Sequence, residues 1–197
     1  MNISDVNLQP GPALISIGFG PGTDIDAILA ALGENLSERG LNVAGLIQKR
    51  GAPKPDCACR EMHLRDLASG KSYLISESRG PEASGCHLDW QALTNLAQAL
   101  EKDLSETTDV LIINRFGRSE SEGRGFRGAI EKAMMLGIQV VVACRDEYGA
   151  QWRAFHGGLA TECSPDVLSL LETMNLLAPQ GYPSAACENP AYKLPAE

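Results

Sequence analysis

Residues 13–40 read ALISIGFGPGTDIDAILAALGENLSERG, and this stretch decides the fold. Ala13 to Phe19 is a short apolar run, which reads as a buried strand. A turn follows at Gly20-Pro21-Gly22-Thr23. From Ile25 to Arg39 the apolar residues Ile25, Ile28, Leu29, Leu32 and Leu36 recur at helical spacing, and Gly40 supplies the stop. A strand, a glycine-rich turn and a helix N-terminus in that order place free backbone N–H groups where an anion is easily held. The first expectation is therefore an α/β fold with a ligand loop after its first strand.

The rest of the chain continues the alternation. Val43–Ile47 reads as a second strand. Residues 51–59, GAPKPDCAC, are turn-rich and read as a loop. Glu61–Leu67 and Tyr73–Ile75 flank Ala68-Ser69-Gly70-Lys71, which predicts an antiparallel hairpin inserted at about 60–76. Asp89 is placed to cap a helix reaching about Leu104. Val110–Ile113 (VLII) is the clearest buried strand, and Ile138–Ala143 is another. Helices are expected around Phe126–Leu136 and Pro165–Leu176, with a short amphipathic stretch at Tyr148–Phe155. The organisation that follows is an N-terminal extension at 1–11, one α/β domain at 12–177 and a loose tail at 178–197. The fold class is three-layer α/β with a mainly parallel sheet.

Composition narrows the function. The chain has 197 residues, 17 Lys and Arg against 25 Asp and Glu, and a net charge of −8. A generic nucleic-acid binder needs a basic face, so nucleic acid is not an expected partner. No window reaches the roughly 20 apolar residues that cross a bilayer, and Met1–Pro10 lacks the features of a signal peptide. A soluble, cytoplasmic protein with no membrane role is the expectation.

Two loops carry the candidate site. In the first, Gly20, Gly22, Thr23, Asp24 and Asp26 surround the helix start. A working phosphate loop adds a lysine for the phosphates and a hydroxyl for magnesium. Here those places hold Ile25 and Asp26. Two carboxylates stabilise the helix dipole and also occupy the end a phosphate would seek. The turn reads first as a capped βα junction, next as a ligand site altered to take a cation or neutral group, and last as an ordinary phosphate loop. The second loop, NRFGRSESEGRGFRG at 114–128, holds Arg115, Arg118, Arg124 and Arg127, four of 11 arginines. Arginine suits bidentate recognition of carboxylates and oxyanions, and loops at the carboxyl ends of strands line the crevice of such folds. Arg50 and Arg145 follow strands at the same edge. The plain alternative is a solvated surface paired with Glu120, Glu122 and Glu131, and a protein-contact surface is a third.

Cys57, Cys59, His63, Cys86 and His87 supply zinc-type ligands, but C-x-C is not the usual C-x₂-C knuckle. Incidental thiols are the default, with a metal site or a reactive Cys86 as alternatives. No catalytic triad is arguable from three histidines without a nucleophile elbow.

Certain strings extend this reading by resemblance. The segment 13–39 followed by LNVAGLIQKR, the hairpin MHLRDLASGKSYLI and the strand end DVLIINRFGRSE resemble P-loop nucleoside triphosphatases of the thermophile type. The start is also similar to the accessory GTPase of molybdopterin-guanine-dinucleotide biosynthesis. PGTDIDAILA, LRDLASGKSYLIS, RGPEASGCHLDWQAL and LIINRFGRSESEGRGFRGAI more closely resemble a bacterial family defined as a domain of unknown function. Its genes are sometimes found beside molybdate-transport genes. The resemblance spans about residues 12–172 and implies a P-loop type sheet. It also shows departures: Asn114-Arg115 stands at the place of the Walker B acidic pair, while Glu120 stands at that of the motif's last acidic residue. The leading expectation is a non-hydrolytic accessory protein holding a small anion, with nucleotide, pterin phosphate and oxyanions such as molybdate as candidates. Its site would lie between Gly20, Gly22, Thr23, Asp24, Asp26 and Arg115, Arg118, Arg124, with no catalytic residue assigned and the cofactor unknown. The alternatives are a divergent metal-dependent nucleoside triphosphatase and a protein-interaction scaffold.

Overall fold

The computed structural model describes residues 13–54, 57–77 and 87–176. Segments 1–11 and 178–197, Cys86, and the side chains of Arg50, Cys57, Cys59 and His87 lie outside the described residues. In chain order the strands are β1 (Leu14–Phe19), β2 (Val43–Lys54), β3 (Cys57–Asp66), β4 (Ser72–Leu74), β5 (Ser76–Glu77), β6 (His87–Leu88), β7 (Val110–Phe116), β8 (Gln139–Arg145) and β9 (Thr161–Cys163). The helices are α1 (Ile25–Glu38), α2 (Trp90–Asp103), α3 (Arg118–Ser121), α4 (Arg127–Met135), α5 (Gly149–His156) and α6 (Val167–Thr173). A 3₁₀ turn at Asp146–Tyr148 precedes α5.

Seven strands form one sheet in the order β4-β3-β2-β7-β8-β1-β9. The β2–β7, β7–β8, β8–β1 and β1–β9 pairs are parallel, and β3 is antiparallel to both β2 and β4. Side-chain alternation along the central strands sorts the core into two layers, as the strand period of 2 requires. Leu14, Leu111, Ile113, Val140 and Val142 face α2, α4 and Trp152 of α5. Ile15, Ile17, Ile112, Val141 and Ala143 face Leu29, Leu32 and Leu36 of α1 and Leu170 and Leu171 of α6. The arrangement is α/β/α, three layers, with a mainly parallel sheet.

Local chemistry fixes the elements. Asp24, Asp89 and Asp166 each accept a backbone N–H three residues on and so cap α1, α2 and α6. The β3–β4 turn is built by Asp66, which accepts from Ala68 N at 3.0 Å and from Ser69 Oγ at 2.6 Å, with Gly70 at φ +70° closing it. Gly45 sits at φ +147°, and a Cβ there would lie 2.2 Å from the Ile112 carbonyl oxygen, so only glycine lets β2 approach β7.

The expected hairpin is present, yet of the segment expected as a loop at 51–59, residues 51–54 and 57–59 are strand. β2 runs through Lys54 and β3 begins at Cys57, giving a long ribbon with register shifts at Arg50/Pro53 and Pro53/Lys54. Proline is tolerated at such irregularities, and composition alone does not separate them from a loop. Four short elements escape the sequence pattern: the paired β5 and β6, α3 and β9. Among the described residues no helix is long and apolar enough to cross a membrane.

Candidate functional site

The chain leaves β1 for α1 and re-enters the sheet at β2, beyond β8 and β7, so loops from several strand ends converge at the carboxyl edge of the sheet. They bound a cleft of about 1150 Å³ lined by the turn Gly20–Asp24, the start of α1, Lys49 of β2, Arg65 of β3, Arg115 of β7, Arg145 at the end of β8, and Asp146 and Glu147 after it.

All five expected residues of the first loop line this cleft. Thr23 N donates to Gly20 O at 3.4 Å, and Gly22 adopts φ +94°. Asp24 is committed to the helix cap through Ala27 N at 3.2 Å. Ile25, at the place of a phosphate-loop lysine, is 2% exposed and packs into the α1–α6 core layer. Its burial removes that position from the cleft's electrostatics.

Asp26 points across to β7. Arg115 Nη2 donates to Asp26 Oδ1 at 2.5 Å, Asn114 Nδ2 donates to the same oxygen at 2.9 Å, and Arg115 Nε donates to Asn114 Oδ1 at 3.1 Å. The guanidinium also lies 5.8 Å from the Phe19 ring centroid. Asn114 is buried, and both ends of the ion pair are largely so. Such a charge-assisted cluster, half withdrawn from water, is stronger than an exposed pair.

Of the arginine loop, then, Arg115 enters the cleft. Arg118 and Arg124 do not line it; both pair with Glu122 on the exposed flank of α3, Arg118 Nε at 2.9 Å. Hydrogen bonds from Arg118 and then Arg124 hold the Glu122 carboxyl below its ordinary range. Arg124 also lies over Trp90, and Arg127 stacks 4.3 Å from the Phe155 ring centroid. The dense run of arginines divides into one cleft residue and several surface contacts.

Glu120 is not available to a ligand. It is 4% exposed, with Oε2 accepting from Gly117 N and Oε1 from Phe126 N, both at 3.0 Å. Burial pushes its carboxyl above the ordinary value, against the opposing effect of those amides. It ties the two ends of the 117–126 loop together.

Sequence reading missed Lys49, Arg65, Asp146 and Glu147. Arg145 closes β8, which is a usable signal; Lys49 lies within β2, and Arg65 reaches the cleft only because β3 folds back on β2. Arg65 pairs with Glu34 and Arg145 with Glu147, each at 3.5 Å and well exposed. No ion pair holds Lys49 among the described residues. The Asp146 carboxylate lies against the loop backbone: a Cβ on Gly20 would meet its Oδ2 at 2.9 Å.

The magnesium ion that a P-loop fold implies finds a poor donor set here. Divalent magnesium takes oxygen ligands. The Oδ1 atoms of Asp26 and Asn114 already accept from Arg115, and the remaining Asn114 group is an N–H₂ donor to Asp26. The residues do not fit the ion. No group of three or more His, Cys, Asp or Glu suited to a metal occurs among the described residues. His63, the one member of the expected zinc set with a described side chain, bonds to Glu61 at 3.1 Å. Cys144 is a buried thiol, pushed up to about 12 by burial and then by the acids Glu162 and Asp146, so it is inert.

Over 161 residues the chain is 29% identical to the molybdenum import ATP-binding protein ModC 2 of Bradyrhizobium diazoefficiens, a match covering 82% of this chain and 18% of that protein. The solution structure of a human cancer-related nucleoside triphosphatase superposes with a TM-score of 0.56 at 12% identity, covering 83% of this chain and 93% of that one. The likeness shows the fold, a three-layer α/β arrangement shared with that nucleoside triphosphatase. A family model matches residues 14–172, and the chain belongs to that family, the protein of unknown function DUF2478.

Proposed function

We propose that the chain is a non-hydrolytic accessory protein that holds a small anionic ligand in the cleft between the 20–26 loop and β7. The observation that carries this reading is the Asp26–Arg115–Asn114 cluster. Phosphoryl transfer on this fold needs a lysine clamp, a metal held by a loop hydroxyl and a strand-end carboxylate, and a group that orients water. Ile25 is buried, Asp26 is neutralised by Arg115, and Glu120 is bonded to backbone amides. Binding is the part of the chemistry still supported. Lys49 is unpaired among the described residues, while the Arg65 and Arg145 pairs are exposed and worth little, so all three are free to turn to an anion. A nucleotide, a pterin phosphate and molybdate each fit within a cleft of this size, where Lys49, Arg65 and Arg145 are the cations within reach. The name of the similar import protein favours including molybdate and ATP among the first ligands tried.

Isothermal titration calorimetry with ATP, GTP and molybdate tests the proposal. The expected result is saturable binding of at least one of them, weakened by Lys49→Ala and by Arg145→Ala, with no phosphate released from the nucleotides. Metal-dependent phosphate release would replace this reading with a divergent nucleoside triphosphatase. Silence from every ligand would replace it with an interaction scaffold.

A further inference from the structure

In metal-dependent members of this fold the divalent cation bridges two places: the first turn of the helix after the phosphate loop and the end of a neighbouring strand. In this chain those places are Asp26 of α1 and Asn114-Arg115 of β7. They are already bridged. The Arg115 guanidinium reaches Asp26 Oδ1 through Nη2 at 2.5 Å and Asn114 Oδ1 through Nε at 3.1 Å. Asn114 closes the triangle onto Asp26 at 2.9 Å. Phe19 covers one side of the guanidinium, and the paired side chains are only about a fifth exposed.

We propose that Arg115 is a built-in replacement for the divalent cation, so that this cleft excludes Mg²⁺ and Mn²⁺ and takes its anion in metal-free form. The physics is direct. A guanidinium keeps its charge at any physiological pH and carries no lone pair to offer a metal. Its charge repels a second cation from Asp26, and its N–H groups engage Asp26 Oδ1 and Asn114 Oδ1, leaving Asp26 Oδ2 as the cluster's one oxygen without a partner among the described residues. The cluster also links α1 directly to β7. The metal-free binding mode rests on the proposed function, whereas metal exclusion is a property of the ligand-free protein and stands apart from it.

Manganese titration followed by electron paramagnetic resonance tests exclusion on the ligand-free protein. The wild type and Asp26→Asn are expected to bind the same amount of Mn²⁺, whatever the acidic surface contributes to both. Arg115→Met keeps an unbranched stem against Phe19 but removes the charge. It is expected to gain a Mn²⁺ site, with affinity raised on the order of tenfold or more, and the gain should vanish in Arg115→Met/Asp26→Asn. Arg115→Lys, which keeps the charge, should behave as the wild type. A Mn²⁺ site lost from the wild type on Asp26→Asn overturns the inference, as does the absence of any gain in Arg115→Met. The first comparison holds even if the Arg115 variants fail to fold. For a ligand that binds in calorimetry, equal affinity with Mg²⁺ and with EDTA supports the metal-free mode, and dependence on Mg²⁺ overturns it. Absence of all ligand binding would overturn the proposed function alone, leaving the manganese result to decide this one.

Discussion

Glu120 separates a structural carboxylate from a catalytic one, and its replacement gives a calculable outcome. Each carboxylate oxygen accepts one backbone N–H at 3.0 Å, from Gly117 and Phe126, in a side chain only 4% exposed. Glu120→Ala leaves two amides without their acceptor, at about 1–3 kcal/mol each, so a loss of roughly 2–6 kcal/mol is expected. With a urea m-value of about 2–3 kcal/mol/M for a chain this long, the unfolding midpoint falls by about 1–3 M. Glu120→Gln keeps one acceptor and turns an N–H₂ group toward the other amide. It also relieves the desolvation that raises the Glu120 carboxyl, so its cost lies nearer the lower end. The pH dependence has a definite sign. A raised native carboxyl contributes stability that is fully present below the unfolded-state value and is lost as pH rises through the native one. The advantage of wild type over Glu120→Gln must therefore shrink as pH rises from the ordinary carboxylate range through the raised native value. Urea titrations monitored by circular dichroism at a series of pH values read both effects. An unchanged midpoint in Glu120→Ala, or an advantage that grows with pH, would refute this account. So would a Glu120→Gln protein that keeps its full stability and loses a nucleotide-hydrolysing activity.

Gly45→Ala places a Cβ 2.2 Å from the Ile112 carbonyl oxygen in the middle of the sheet and should cost on the order of 3 kcal/mol or prevent folding. Gly137→Ala, with φ +74° but nothing within 4 Å, should cost only about 1–2 kcal/mol in the same denaturation assay. Trp152→Phe removes the 2.8 Å bond from the indole Nε1 to the buried Ser16 hydroxyl, and a loss of about 1–3 kcal/mol by urea unfolding is expected. His156 accepts the Gly158 and Ala160 amides on Nδ1, and burial holds its pKa below the ordinary value. Stability is therefore lost as pH falls from the unfolded-state value through the lower native one, and His156→Asn should flatten that slope in unfolding midpoints compared between about pH 7.5 and 5.

The parts of the fold legible in the sequence are those whose local chemistry and tertiary placement agree. The 13–40 stretch carries its own apolar run, its glycine turn and its Asp24 cap, and the sheet uses all three. Val110–Ile113 is apolar on both sides because β7 is covered by helices on both faces, which is what a continuous VLII run encodes. The elements that escaped are held by partners far along the chain. β9 is three residues, Thr161–Cys163, and exists because Ile15–Ile17 pairs with it. The strand β2 passes through Gly51 and Pro53, residues whose usual meaning is a loop. It is a strand there because β3 lies against it, at the edge of the parallel core, where irregular pairing is tolerated. The four residues of α3 are too few for a helical period to show.

The site was half legible for a related reason. Arginine density marks a charged loop, but the direction of each guanidinium is set by where the strand ends. β7 continues past the VLII core through Asn114, Arg115 and Phe116, so Arg115 is still held by the sheet when it reaches Asp26. One glycine later the chain turns into α3, and Arg118 leaves on its exposed face toward Glu122 at i+4. Three residues thus separate a cation built into the cleft from one solvated on the surface. The same strand end explains why the partner of Asp26 could not be read from the loop alone. An Asp in the first turn of a helix ordinarily serves the helix dipole; here Asp24 already caps the helix, which leaves Asp26 to answer a charge 89 residues away. Exchange of a metal for a guanidinium takes paired changes, an acid on the helix and a base on the strand, and each looks like a lost motif until the fold sets them side by side.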